Sequence, residues 1–140
     1  MSITIAVKDL DAAIKKYESV LEVKPQHIKP EDYAFPGMKG ASFRVGDAML
    51  TLMSSDQPDT SIYKFVENKG EGIFLISIEV PDVAQTAKEL LQKGIRLVSE
   101  KPMAFSGGTV IFVHPKSMHG VQVEFTQLVK GSMFASKSAK

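Results

Sequence analysis

Two stretches of the chain share one pattern, in which a strictly alternating segment precedes apolar residues at helical spacing. In the first stretch Ile3, Ile5 and Val7 alternate with smaller or polar residues. Alternation of β-branched residues with a period of two predicts a strand. Asp9 then suits a helix N-cap, because its short carboxylate can accept hydrogen bonds from free backbone N–H groups. The helix itself is indicated by apolar residues three or four positions apart, namely Leu10, Ile14, Tyr17 and Leu21.

The same pattern returns 73 residues later. Ile76, Ile78 and Val80 alternate as the first set does, Asp82 takes the N-cap position, and Gly94 suits the end of the helix. The apolar positions of this second helix are Val83, Ala87, Leu90 and Leu91. The two stretches are identical at the pairs Ile3/Ile76, Ile5/Ile78, Val7/Val80, Asp9/Asp82 and Lys15/Lys88. A repeat in both sequence and predicted structure indicates two related modules.

Each module continues with further predicted strands. Residues 41–45 and 48–53 flank the turn signal Gly46-Asp47, and residues 109–113 and 121–126 flank a longer turn. The fold class is therefore α+β. We expect two tandem βαβββ modules forming a curved, barrel-like mixed sheet around a cavity, with the helices on the convex face.

The predicted domain organisation is a single domain over residues 1–129. Module one covers about residues 1–54, a linker with a short helix covers residues 55–72, and module two covers about residues 73–129. Residues 130–140 are small, polar and basic, so we expect a loosely attached C-terminal tail.

Strand parity predicts which side chains face the cavity, because alternate residues of a strand point to opposite faces. Leu50, Leu52, Val121, Val123 and Phe125 are expected to pack under the helices. The predicted inward set is Ser2, Thr4, Ala6, Met49, Thr51, Met53, Leu75, Ser77, Glu79, Gln122, Glu124 and Thr126. The repeat shift relates four of these positions by one pseudo-twofold axis, since Ser2 corresponds to Leu75 and Thr51 to Glu124.

Composition narrows the function classes. The chain of 140 residues has no cysteine, which excludes disulfides, thiolate catalysis and thiolate metal sites. With 17 basic and 16 acidic residues it lacks the basic surface that nucleic-acid binding needs. No apolar run is long enough to span a membrane and the N-terminus lacks a signal-peptide pattern, so the expected location is the cytoplasm and the expected partner is a small molecule.

Six segments of the chain resemble the vicinal oxygen chelate superfamily, which contains glyoxalases, extradiol dioxygenases and bleomycin-resistance proteins. Within it, the chain is most similar to the methylmalonyl-CoA epimerases. The likeness extends over roughly residues 2–127 and is carried by residues 3–14, 61–73, 76–80, 93–97, 112–116 and 120–124. The resemblance also implies that modules pair within a chain or across a homodimer.

The resemblance implies a divalent metal in the cavity, held at the four quasi-symmetric positions. In this sequence those positions read Ser2, Thr51, Leu75 and Glu124. A transition metal needs several nitrogen or oxygen donors, and one carboxylate with two hydroxyls does not supply them. The second carboxylate that the epimerases place near the second strand is also missing from residues 34–38. We therefore expect no cofactor and a degenerate metal site, while a divalent metal held by other residues stays open.

Glu124 is the candidate catalytic residue. A carboxyl facing an apolar cavity has its pKa raised by desolvation, which suits a general acid or base. The alternative is a relic carboxylate that hydrogen-bonds Ser2, Thr51 or Ser77. Around it, the candidate ligand-binding residues are Ser2, Thr4, Met49, Thr51, Met53, Leu75, Ser77 and Gln122. The resemblance adds His114 and Lys116, because it implies that their turn contacts a substrate's carboxylate, thioester or phosphate-bearing arm.

Three functions compete at this point. The first is a metal-independent isomerase, epimerase, lyase or cyclase that uses Glu124 on a small, partly apolar molecule. The second is a non-catalytic protein that binds or sequesters such a molecule, as drug-resistance members of the superfamily do. The third is a metal-dependent methylmalonyl-CoA epimerase or lactoylglutathione lyase whose ligands lie elsewhere in the chain.

Overall fold

One eight-stranded sheet and three α-helices make up the described part of the chain. The computed structural model describes residues 1–33 and 35–134. In chain order the elements are β1 (Ser2–Ala6), α1 (Leu10–Leu21), β2 (Gln26–Ile28), a 3-10 turn (Pro30–Asp32), β3 (Lys39–Val45), β4 (Ala48–Ser54), α2 (Ser61–Lys69), β5 (Gly72–Glu79), α3 (Val83–Gln92), β6 (Met103–Phe105), β7 (Gly108–Val113), a second 3-10 turn (Pro115–Met118) and β8 (Val123–Leu128).

The strand order is symmetric about the centre of the sheet. It runs β2-β3-β4-β1-β5-β8-β7-β6, so each module contributes four strands and β1 meets β5 in the middle. The parallel pair β1/β4 aligns Ile3 with Leu50, and the parallel pair β5/β8 aligns Ile76 with Val123. Both members of the second pair lie 73 positions beyond those of the first. The predicted repeat is thus confirmed in the register of the strands.

Helices α1 and α3 cover the convex face, as expected. Each begins at its predicted aspartate, since Asp9 accepts a hydrogen bond from the N–H of Ala12 and Asp82 from that of Gln85, both at 3.0 Å. Ile14 of α1 packs on a core that contains Phe43 and Leu52. The corresponding core under α3 is formed by Val83, Ala87 and Ile111 with Phe125.

Helix α2 lies on the other side of the sheet. Its buried residues Ile62 and Val66 pack against Ala6 and Met53, which are on the cavity face of β1 and β4. This helix, which the sequence predicted only as a short helix in the linker, therefore closes the cavity face at the ends of those two strands.

The final strand begins two residues later than predicted. His119 and Gly120 have φ values of +56° and +85°, which keep the chain in a turn conformation before β8. Val121 is 41% exposed as a result, so its predicted packing under the helices is wrong. Gln122 still pairs with β5 just before β8 begins, because its carbonyl accepts a hydrogen bond from the Ile76 N–H.

The start of the predicted tail lies against the domain. Arg44 donates a hydrogen bond to the carbonyl of Met133 at 3.2 Å, and Phe134 is half-buried. Residues 135–140 lie outside the described residues, so the expectation of a loosely attached tail is not tested there. Within the described ranges, no helix is both long and apolar enough to cross a membrane.

Candidate active site

A cavity of about 580 Å³ lies on the concave face between the two modules. This is within the usual range for a site that encloses a small molecule. Each of the four central strands contributes at least one polar residue to its wall, among them Thr4 from β1, Thr51 from β4, Ser77 from β5 and Glu124 from β8. They form two cross-strand pairs, since Thr4 is opposite Thr51 and Ser77 is opposite Glu124.

Glu124 is the ionisable group of this central set. The hydroxyl of Ser77 donates a short hydrogen bond to Glu124 Oε1. Burial raises the pKa of the Glu124 carboxyl from its ordinary 4.5 to about 7, and the Ser77 hydrogen bond opposes that rise by stabilising the carboxylate. A carboxyl with this pKa is populated in both protonation states near neutral pH, so it can accept or donate a proton there.

In module one, the position equivalent to the Ser77 and Glu124 pair contains hydroxyl groups and no carboxyl. Thr4 and Thr51 occupy it, and they are 4% and 3% exposed. The Thr51 hydroxyl lies 2.7 Å from that of Ser42 and forms a hydrogen bond with it. The cavity wall is thus chemically asymmetric, with a titratable group on one side of the pseudo-twofold axis and neutral donors on the other.

Most of the predicted site residues do line this cavity. The structure brings together Ser2, Thr4, Thr51, Met53, Leu75, Ser77, Gln122 and Glu124. Met49 is buried but is not among the lining residues. Its cross-strand partner Arg44 binds the carbonyl of Met133, so the end of the described chain occupies that part of the face.

His114 and Lys116 are also absent from the lining residues of the described chain, although Pro115 between them is present. His114 Nδ1 accepts a hydrogen bond of 3.1 Å from the backbone N–H of Lys116 and caps the short 3-10 turn. The histidine therefore has a local structural role in this turn.

Aromatic side chains supply much of the remaining wall. The wall includes Tyr33, Phe74 and Phe105, together with Phe35, Phe112 and Phe134, which the sequence analysis missed. Phe112 could have been found by parity, because it is opposite Glu124 in the β7/β8 register. Phe35 and Phe134 lie outside regular strands, where alternation gives no signal.

The segment after β2 bridges the two modules over the cavity. Asp32 accepts a hydrogen bond of 2.7 Å from Ser106, and the Phe35 ring lies 5.9 Å from that of Phe112. Module one therefore contributes a loop that contacts two separate parts of module two at the cavity wall.

The residues present do not fit the metal that the resemblance implies. Of the four positions related by the repeat, Leu75 has no donor atom, and the Ser2 and Thr51 hydroxyls are weak ligands unless ionised. Residues 1–33 and 35–134 contain no group of three or more His, Cys, Asp or Glu side chains placed to hold a metal ion. The donor set at these four positions is one carboxyl with two hydroxyls.

Known proteins match this chain over nearly its whole length. Residues 2–125 match the model of the Glyoxalase/Bleomycin resistance protein/Dioxygenase superfamily. The chain is 32% identical to human mitochondrial methylmalonyl-CoA epimerase over 127 residues, which is 89% of this chain and 71% of that protein. Among solved structures, a methylmalonyl-CoA epimerase variant from Streptomyces coelicolor in complex with 2-nitronate-propionyl-CoA superimposes with a TM-score of 0.81 at 26% identity, covering 92% of this chain and 93% of that one. A hypothetical protein from Bacillus halodurans gives a TM-score of 0.82 at 28% identity, with the same two coverages.

Proposed function

The chain belongs to the glyoxalase/bleomycin resistance protein/dioxygenase superfamily, and on this premise we propose that it is a metal-independent enzyme of proton transfer. Its substrate is a small, partly apolar molecule bound between the modules. Glu124 is the general acid or base, and the reaction belongs to the isomerase, lyase or cyclase class. The observation that carries the proposal is the Glu124 carboxyl, held by Ser77 in the cavity wall with its pKa raised to about 7.

The chemistry follows from that placement. The carboxylate form of Glu124 removes a proton from a carbon next to a carbonyl group, and the electron pair moves onto the carbonyl oxygen. The Ser2 and Thr4 hydroxyls line the same cavity and are the candidate donors to that oxygen. The protonated carboxyl then returns the proton to the same or another carbon, or the intermediate loses a leaving group.

A binding protein without catalysis is the second candidate. The hydrogen bond from Ser77 satisfies one lone pair of the buried carboxyl, as expected for a structural residue. The apolar, aromatic wall would then hold a ligand without altering it.

An assay with an uncharged carbon acid distinguishes the enzyme from the binding protein. In 5-nitrobenzisoxazole a base removes the ring C–H proton while the N–O bond breaks, and the electron pair ends on the oxygen of a coloured phenolate. We expect the protein to accelerate this ring opening with a rate that rises through pH 7, as the Glu124 carboxylate forms. Glu124→Gln should lower the rate by about 100-fold. Glu100→Gln, which changes an exposed carboxylate outside the cavity wall, is the matched control.

Equal rates in the wild-type protein and Glu124→Gln would overturn catalysis by Glu124 and favour the binding protein. Metal independence is tested separately by elemental analysis for Zn, Co, Ni and Mn, together with an assay of methylmalonyl-CoA epimerisation. We expect substoichiometric metal and no metal-stimulated turnover. A stoichiometric metal with epimerase activity would show that the metal-dependent alternative is correct.

A further inference from the structure

In the described part of the chain, the cavity wall contains acidic side chains without basic ones. Asp32, Asp59 and Glu79 line it together with Glu124. No Lys, Arg or His side chain of residues 1–33 and 35–134 is among its lining residues. Proteins that bind carboxylates or phosphates place Arg, Lys or several backbone N–H donors against them.

The N-terminus of α2 does not replace a basic side chain here. Thr60 and Ser61 reach the cavity, and a helix N-terminus can attract an anion. However, the Thr60 side chain already accepts a hydrogen bond from the N–H of Tyr63, and the Asp59 carboxylate directly precedes the cap. An anion at this end would meet a like charge next to a helix end that is already capped.

The neutral part of the wall is strongly aromatic. The chain has eight Phe and three Tyr, and six of these eleven residues line the cavity. They are Tyr33, Phe35, Phe74, Phe105, Phe112 and Phe134. Aromatic walls favour flat apolar rings and attract protonated amines through the faces of their rings. They do not compensate an anion for its lost hydration.

We infer that the cavity binds an apolar, ring-sized molecule that is uncharged or protonated. The part of this molecule that enters the cavity carries no negative charge. The inference names the substrate class of the proposed function and rests on it for the location of the ligand. It separates this chain from any enzyme whose substrate places a free carboxylate at the reacting centre.

Three naphthalene derivatives of equal size test the charge preference. They are naphthalene-2-methanol, the cation 2-naphthylmethylammonium and the anion 2-naphthoate. The chain has no tryptophan, so naphthalene fluorescence can be followed directly in a titration at pH 8. We expect the alcohol and the ammonium ion to bind at least tenfold more tightly than the carboxylate. Binding of 2-naphthoate within threefold of the alcohol would overturn the inference.

Variants test whether the lining acids cause the preference. Asp59→Asn should reduce the gap between the alcohol and the carboxylate by roughly fivefold, the size of one charge contact at about 4 Å in water, because Asp59 is exposed to solvent. Asp47→Asn removes an exposed charge in the β3/β4 turn, outside the cavity wall, and should leave the gap unchanged. An equal reduction in both variants would show that net charge causes the preference, and would contradict recognition in the cavity.

The titrations are repeated with Glu124→Gln to keep this inference distinct from catalysis. Binding needs no proton transfer, so the preference should persist in the variant even if the ring-opening assay fails. The preference over 2-naphthoate could instead be lost in Glu124→Gln while Asp59→Asn behaves like the wild-type protein. That result would overturn the assignment of the preference to Asp32, Asp59 and Glu79.

Discussion

Ser77 donates a hydrogen bond to Glu124 across the parallel strands β5 and β8, at the position where the other module pairs Thr4 with Thr51. Ser77 and Glu124 lie 73 positions after Thr4 and Thr51, respectively, which is the shift of the repeat. Module two thus has an ionisable group at this position, while module one has neutral hydroxyls. The proposed role of Glu124 depends on this difference between the modules.

Removing the Ser77 hydroxyl should raise the pKa of Glu124 further. The hydrogen bond favours the carboxylate and so opposes the effect of burial. In Ser77→Ala, the midpoint of the Glu124 carboxyl signal in a ¹³C NMR titration should therefore lie above that of the wild-type protein. Ser42→Ala removes a buried hydroxyl that bonds Thr51, and should leave the midpoint unchanged. An unchanged or lower midpoint in Ser77→Ala would contradict the assignment.

Glu124 should make the folding stability depend on pH. Its folded-state pKa of about 7 lies above the ordinary 4.5, so the folded protein binds this proton more tightly than the unfolded chain. The associated stability is present below about pH 4.5 and is lost as the pH rises through 7. Relative to Glu124→Gln, the wild-type free energy of unfolding should fall by about 3 kcal/mol over this window.

Urea denaturation of both proteins at several pH values measures that difference. Comparison with the glutamine variant cancels the titration of the other carboxyl groups. A difference that rises with pH would mean that the folded-state pKa is depressed, and would contradict the effect of burial described for this site.

Gly40 should tolerate a methyl group less well than Gly46. An added Cβ at Gly40 would lie 2.5 Å from both the Leu52 carbonyl oxygen and the Tyr33 hydroxyl, whereas at Gly46 it would meet nothing within 4 Å. Gly46→Ala has only the cost of its left-handed φ of +63°, about 1 kcal/mol. Gly40→Ala should cost more, about 1–3 kcal/mol, because backbone must move. Thermal denaturation that ranks the two variants in the opposite order would contradict this packing.

The two helix caps should contribute equally. Asp9→Ala and Asp82→Ala each remove one hydrogen bond to a free backbone N–H, and each should cost about 1 kcal/mol of unfolding free energy. Serine at either position keeps a capping oxygen and should recover most of the loss. Alanine and serine variants of equal stability would show that the caps do not stabilise these helices.

Alternation and the repeat were enough to predict the sheet and the centre of the site. They placed Thr51, Ser77 and Glu124 on one face because parity within regular strands depends only on the backbone. Two of the aromatic residues missed at the cavity wall lie where the backbone is irregular. Phe35 lies in the segment after β2, and Phe134 lies beyond the last strand. Helix α2 has an apolar stripe, but a stripe does not reveal which face of a sheet it covers.

The most direct test of the central claim is a ¹³C NMR titration of the Glu124 carboxyl in metal-free protein, repeated with one equivalent of zinc. The signal is assigned by its loss in Glu124→Gln. We predict a midpoint near pH 7 that zinc leaves unchanged, because residues 1–33 and 35–134 contain no group of three or more side chains placed to hold a metal ion. A midpoint near 4.5, or a midpoint that zinc shifts downward, would contradict a metal-independent acid or base at this position.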